Sequence, residues 1–342
     1  MQHEKPLTLM PWQLLFSILS VLFFFTTQQV FSATTKDNID SGKGEDLVPS
    51  GKGWGEQQGP KSQELANFPG KGAPGSSGSS GSKSSNGISY HGGPLITSSN
   101  TTIYYIFYGD WSNNVTAQSI LSDFANNIGG SPYFNINTTY YDGSGNKVKN
   151  ITSQSPVLYS NTFQATDSNG GFYPFGTSLT DTNIKQIVSS AINTIGSNPN
   201  GVYFVLTSPD VNESSGFFTK YCGWHTHSTI AGIDTKYSFV GNPQRCPSAC
   251  EEQTTSPNGN AGADGMTSII AHELEEAATD PDLNAWYDTR GRENADKCAW
   301  KFGTTQTAPN GSLYNMTLGT RSYLIQQNWV NALGGYCSLS YP

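Results

Sequence analysis

The chain has 342 residues, a formal net charge of −8 and only 13% charged residues, with 37 glycines and abundant tyrosine and phenylalanine. That length holds one large domain or two small ones. The acidic balance, without a basic patch or stripe, argues against nucleic acid as a partner and leaves carbohydrate and cations open.

Residues 1–33 read as a signal peptide. Lys5 supplies the basic end, residues 14–25 form a short apolar run, and Val30-Phe31-Ser32 or Phe31-Ser32-Ala33 offers a small-residue cleavage site. The run is short for a membrane span, and no second long one follows, so no stable span is expected after cleavage. Seven Asn-x-Ser/Thr sequons, at Asn100, Asn114, Asn137, Asn150, Asn212, Asn310 and Asn315, agree with a glycosylated, extracellular protein. Residues 34–88 are poor in large apolar side chains, and residues 75–85 are almost pure Gly/Ser. The expectation is a disordered, low-complexity linker.

The folded domain is expected over residues 89–342. Residues 101–108, β-branched and aromatic, predict a buried strand. Ile120, Leu121, Phe124 and Ile128 place a helix over 116–128. Residues 157–159 look strand-like. Ile184, Ile187, Val188, Ala191, Ile192 and Ile195 mark a helix over 180–195, ended by Gly196. Residues 202–207 predict a second buried strand, 224–230 and 237–240 a pair of shorter ones, and 321–325 a late one. Strands alternating with helices give a mixed α/β domain. A helix bearing a candidate site after at least three strands also fits the zincin-like plan, in which such a helix crosses beneath a twisted sheet.

That helix is predicted from Thr267 to Asp280, capped by Asp264 and stopped by Pro281. Ile269, Ile270, Leu274, Ala277 and Ala278 give it a broad apolar stripe. His272 and Glu276, four apart, share one face with about 6 Å of rise between them. This is the His-Glu-x-x-His metalloprotease pattern with Glu in place of the second His, and Glu273 stands where a general base stands. Acidic residues on a helix are more often a solvated face, and Glu275 is assigned to one. A third ligand commonly lies downstream, where Asp296 and Glu293 are the candidates. His225, on a strand two residues from His227, is another, while His227 reads as structural or exposed. Residues 258–265 read as a turn into the helix, lacking the regular spacing of a calcium loop.

The five cysteines are Cys222, Cys246, Cys250, Cys298 and Cys337. In an oxidising compartment most are expected to pair, and the odd count leaves one over. Cys246 and Cys250 read as disulfide halves rather than zinc ligands. The sequence does not order the pairs.

An ordered set of short motifs resembles the EXORDIUM, or phosphate-induced protein 1, family over most of residues 89–342. The set runs from Tyr90-His91 with Gly93-Pro94, through Tyr108-Gly109 with Trp111, to Leu206-Thr207 with Pro209-Asp210-Val211. Cys222-Gly223-Trp224-His225, the stretch from Gln244 to Cys250, Ser256-Pro257-Asn258-Gly259 and Asp264-Gly265-Met266 with Ala271-His272-Glu273 follow. Asn284-Ala285-Trp286-Tyr287, Ala295-Asp296 with Cys298, and Tyr336-Cys337-Ser338 close it. The resemblance implies an extracellular or cell-wall protein linked to growth, cell expansion and nutrient or hormone response. It places His225, His272, Glu273, Glu276 and Asp296 at family motif positions. Plant members usually carry a further cysteine four residues before the Cys-Gly-x-His motif, where this chain has Phe218. The missing partner accounts for the odd count.

Two readings follow. In one, the helix holds an ion or an internal hydrogen-bond network, and an aromatic-rich surface binds cell-wall polysaccharide or a receptor. In the other, His272 and Glu276, with Asp296 or His225, bind one Zn ion, and Glu273 takes a proton from water whose pKa the ion lowers, as in a zinc-dependent, peptidase-like hydrolase.

Overall fold

A five-stranded sheet forms the frame: β1 (Thr102–Tyr108), β2 (Ser160–Gln164), β3 (Gly201–Thr207), β4 (Gly223–Ile230) and β5 (Ile233–Val240), in the spatial order β2-β1-β3-β5-β4. The computed structural model describes residues 48–52, 87–98, 101–149 and 160–342, with the backbone alone for 160–163, all within the unit Glu45–Pro342. The expected leader, most of the expected linker, the strand-like residues 157–159 and the sequons at Asn100 and Asn150 lie outside these. The first four strands in that order run parallel. β4 turns back along β5 through Ala231-Gly232 to make an antiparallel edge. β3 is buried along its whole length, as its unbroken Val-Tyr-Phe-Val-Leu run requires of a central parallel strand.

Three helices cover the sheet. Helix α1 (Val115–Ile128) buries Ala117, Ile120, Leu121, Phe124, Ala125 and Ile128. Helix α2 (Asp181–Ile195) opens with a reciprocal capping box between Thr180 and Asn183. It closes at Gly196, whose φ of +85° suits glycine. Helix α3 (Ala261–Thr279) packs against α1 and against β3, β4 and β5. It begins six residues earlier than predicted. Asn260, not Asp264, is its cap, accepting the Ala263 N–H at 3.0 Å. Asp264 lies inside the first turn and accepts the Asn258 N–H and side-chain amide instead, at 3.0 and 2.6 Å. The early turn lacks large apolar residues, so the hydrophobic period carries no trace of it.

The other predicted elements fall within a residue or two of their places, with two exceptions: the strand expected at 237–240 begins four residues earlier, at Ile233, and the late strand is shorter, Arg321–Tyr323, paired with Met316–Leu318. Ser89–Tyr90 pairs with Trp286–Tyr287 and ties the domain's start to the chain just after α3. Among the described residues no helix is long and apolar enough to cross a membrane. The abundant aromatics serve mainly the core. Trp111, Trp224, Tyr105 and Tyr203 are among the largest fully buried side chains, and Tyr141 and Tyr336 are the exposed aromatics among the described residues.

Two disulfides clamp the chain on either side of α3. Cys222–Cys250 joins the start of β4 to the loop before the helix. Cys298–Cys337 joins the loop after it to the C-terminal strand. With 28 and 39 residues between partners, each contributes about 3.5–4 kcal/mol in the chain-entropy account. Cys246 is the free thiol. The Phe218 ring lies 5.4 Å from the guanidinium of Arg245, the residue before the unpaired cysteine. Of the sequons, Asn137 is fully buried and is excluded as a glycan acceptor. The Asn315 amide is committed to the carbonyls of Phe302 and Ile325, at 2.8 and 2.7 Å.

Beside Cys250, burial pushes the Glu251 carboxyl from 4.5 up to about 7. Folded Glu251 therefore keeps its proton between those values, while the unfolded chain releases it. The associated stability is present below about pH 4.5 and is lost as pH rises through 7. In chemical denaturation, Glu251→Gln gains on the wild type by up to about 3 kcal/mol between pH 4 and pH 8.

Candidate metal centre

His272 and Glu276 lie one turn apart on α3, with His272 Nε2 3.1 Å from Glu276 Oε1. The helix sets this pair by its period alone. The turn after the helix brings up Asp296, whose Oδ1 is 3.6 Å from His272 Nε2. Strand β4 brings His225 from the sheet, its Nε2 3.6 Å from Glu276 Oε2 and 3.1 Å from Glu293 Oε1. Glu276 thus offers one oxygen to each imidazole. The turn is locked onto the helix by its own backbone: Asp296 N–H donates to Glu276 Oε1 at 3.0 Å, and Glu293 N–H to Asp296 Oδ2 at 3.2 Å. Asp280 folds the chain back after α3 by accepting the N–H groups of Asn284 and Ala285, at 2.6 and 2.5 Å.

All four predicted ligands, His225, His272, Glu276 and Asp296, therefore meet, and Glu293 joins them. Each is at most 7% exposed, and Glu273 is 1% exposed beside them. The ligand atoms form two triads sharing Glu276: His272, Glu276 and Asp296, and His225, Glu276 and Glu293. Four donors about 2.0–2.1 Å from a tetrahedral ion stand roughly 3.4 Å from one another. Within the first triad His272 Nε2 stands 3.1 and 3.6 Å from its two carboxylate partners, close to that spacing, and imidazole with carboxylate is a donor set that zinc accepts.

The electrostatics pull in the same direction. Burial, with His272 close by, lowers the His225 pKa to about 3, so its imidazole is neutral. Burial first, and then the charges of Glu276, Asp280, Asp296 and Glu273, push the Glu293 carboxyl well above its ordinary range. Without a cation, these carboxylates share one buried space and disfavour one another's ionisation.

A third group, His227, Asp234 and Asp282, lies at the outer part of β4 and is half exposed. Lys236 bonds to Asp234 and stands 3.0 Å from Asp282, so a cation already fills it. This agrees with the structural reading of His227. Glu275 departs from its expected place: it is fully buried, not solvated. Asn328 donates to its Oε2 at 2.7 Å, Asn294 donates to its backbone carbonyl at 3.1 Å, and burial raises its pKa well above the usual range. Asn294 and Asn328 carry no sequence signal for this role, because their partner is distant along the chain.

Comparison with known proteins places this architecture. The family model for the phosphate-induced protein 1 conserved region matches residues 88–332, and the chain belongs to that family. It is 32% identical over 287 residues to Protein EXORDIUM-like 3 of Arabidopsis thaliana, covering 73% of this chain and 82% of the relative. It is 30% identical to Protein EXORDIUM-like 5 of the same plant, covering 71% and 75%. To Protein PHOSPHATE-INDUCED 1 of Nicotiana tabacum it is 27% identical, covering 58% and 67%. No solved structure matches the chain.

Burial favours the protonated form of Glu275, and the Asn328 amide donates to it. Glu275→Gln is expected to hold stability within about 1 kcal/mol, while Asn328→Ala, which strands the acid, costs about 2–3 kcal/mol in urea unfolding.

Proposed function

We propose that this chain is an extracellular EXORDIUM-family protein whose domain is held by one divalent ion, zinc by its donor set, in a zincin-like arrangement of site helix and sheet. The observation that carries this reading is the buried meeting of two imidazoles with Glu276, Glu293 and Asp296. A divalent cation offsets the charge that these carboxylates carry into the interior. His272, Glu276 and Asp296 hold it, and the adjoining triad braces Glu276 from the sheet side, with His225 Nε2 set between Glu276 and Glu293. Such an ion joins α3 to the 293–296 turn directly, and to β4 through the His225–Glu276 contact.

The role is structural rather than hydrolytic. Structural zinc sites are closed, and catalytic ones keep a position open to water and substrate. Glu273, the residue that would accept the proton in a hydrolase, is as buried as the ligands. Two disulfides support an oxidising, extracellular setting. Function then lies at the surface, toward a receptor or cell-wall polysaccharide serving growth or cell expansion. The exposed rings of Tyr141 and Tyr336 are the side chains suited to stack on sugar.

Secreted full-length protein, purified without chelator, is expected to carry close to one zinc per chain by elemental analysis, and His272→Ala and Glu276→Ala to carry none. Chelation lowers the melting temperature by about 10 °C, as loss of a ligand held near a thousand times its Kd requires for a domain of this size. Glu273→Gln keeps both metal and melting temperature. A folded wild type without metal ends this reading.

A further inference from the structure

The edge strand β4 is not bare. Residues 48–52, Val-Pro-Ser-Gly-Lys, lie against it, with Pro49 and Gly51 buried. The His225 N–H, which points away from β5, donates to the Gly51 carbonyl at 3.0 Å. Gly51 has φ +68°, and a Cβ there would stand 2.0 Å from the His225 carbonyl oxygen. Backbone touches backbone at a spacing that only glycine permits.

The next side chain enters a cup. Lys52 Nζ is 2.6 Å from Asp181 Oδ2 and 2.6 Å from Ser215 Oγ. It stands over the rings of Tyr221 and Trp224, 5.4 and 5.3 Å from their centroids. The cup is braced from behind: Ser215 Oγ donates to Asp181 Oδ1 at 2.8 Å, and the Tyr221 hydroxyl bonds to Glu213. A carboxylate, a hydroxyl and two aromatic faces together make a recognition site for a primary ammonium. A lone exposed Lys–Asp pair would carry little weight. Here it comes with a main-chain bond to a sheet edge and a glycine-only contact one residue away.

We propose that the β4 edge and the Asp181–Ser215–Tyr221–Trp224 cup form a binding site for a peptide bearing Gly-Lys, and that residues 48–52 fill it in cis. One main-chain bond to the sheet edge sets the register and one side-chain pocket gives specificity. Tethering gives the resident segment an effective concentration in the millimolar range, so a peptide in trans gains access only when that segment is released. None of the cup's residues belongs to the buried cluster, so peptide binding and metal content are separate readouts.

The test uses the full-length protein and a fluorescein-labelled Val-Pro-Ser-Gly-Lys amide, read by fluorescence polarisation. Gly51→Val with Lys52→Ala releases the resident segment, since the added side chain meets the His225 carbonyl. This double variant is expected to bind the probe at least about tenfold more tightly than wild type. Adding Asp181→Asn, or replacing the probe lysine with alanine, takes that binding away. Hydrogen exchange at the His225 amide speeds up in the double variant and slows again when probe is added, with an unchanged melting temperature as the control for folding. Equal His225 exchange in wild type and double variant overturns the proposal, as does probe binding that is absent or indifferent to Asp181→Asn.

Discussion

Carboxylates inside α3 set the terms for the rest of this structure. Glu273, Glu275 and Glu276 are almost without solvent, and Glu293 and Asp296 are brought in to meet them. A buried ionised carboxylate without compensation costs several kcal/mol. The surrounding chain supplies the compensation from three directions. Sheet strand β4 delivers an imidazole, the turn after the helix delivers backbone N–H groups, and the C-terminal strands deliver the Asn328 amide. The disulfides clamp the loops that make two of these deliveries.

β4 faces two ways through a single residue. The His225 ring enters the acidic cluster, while its backbone N–H faces outward to Gly51. The interior site and the sheet edge are therefore mechanically adjacent, and whatever settles the position of β4 acts on both. The antiparallel turn through Ala231-Gly232 leaves this strand at the edge, where unpaired N–H and C=O groups need covering.

The sequence was most informative where period and chemistry coincide. The apolar stripe of α3, the four-residue step from His272 to Glu276 and the β-branched runs of β1 and β3 identify elements and ligands together, because each is a local consequence of backbone geometry. Tertiary juxtaposition is different. His225, Glu293 and Asp296 were visible as candidates, but only the fold brings all three to Glu276. The first turn of α3 escaped notice because it is made of Ala, Gly and Asp. Glu275 was misplaced because side-chain type predicts exposure and takes no account of a distant Asn328. Nothing about Lys52, set in a Gly- and Lys-rich stretch, distinguishes it from its neighbours until the cup around it is seen.

The buried sequon bears on how the molecule is made. Asn137 sits in the short helical turn Phe134–Thr139, which is packed under α3, and its side chain reaches Glu275. An oligosaccharide on that nitrogen and the native core cannot coexist, because the sugar would occupy the volume that α3 fills. A chain passing through a glycosylating compartment therefore faces a race at this residue between closure of the core and attachment of the sugar. Molecules that lose it would be barred from the native state whatever their remaining interactions, so in such a compartment yield would be decided in part by timing during synthesis.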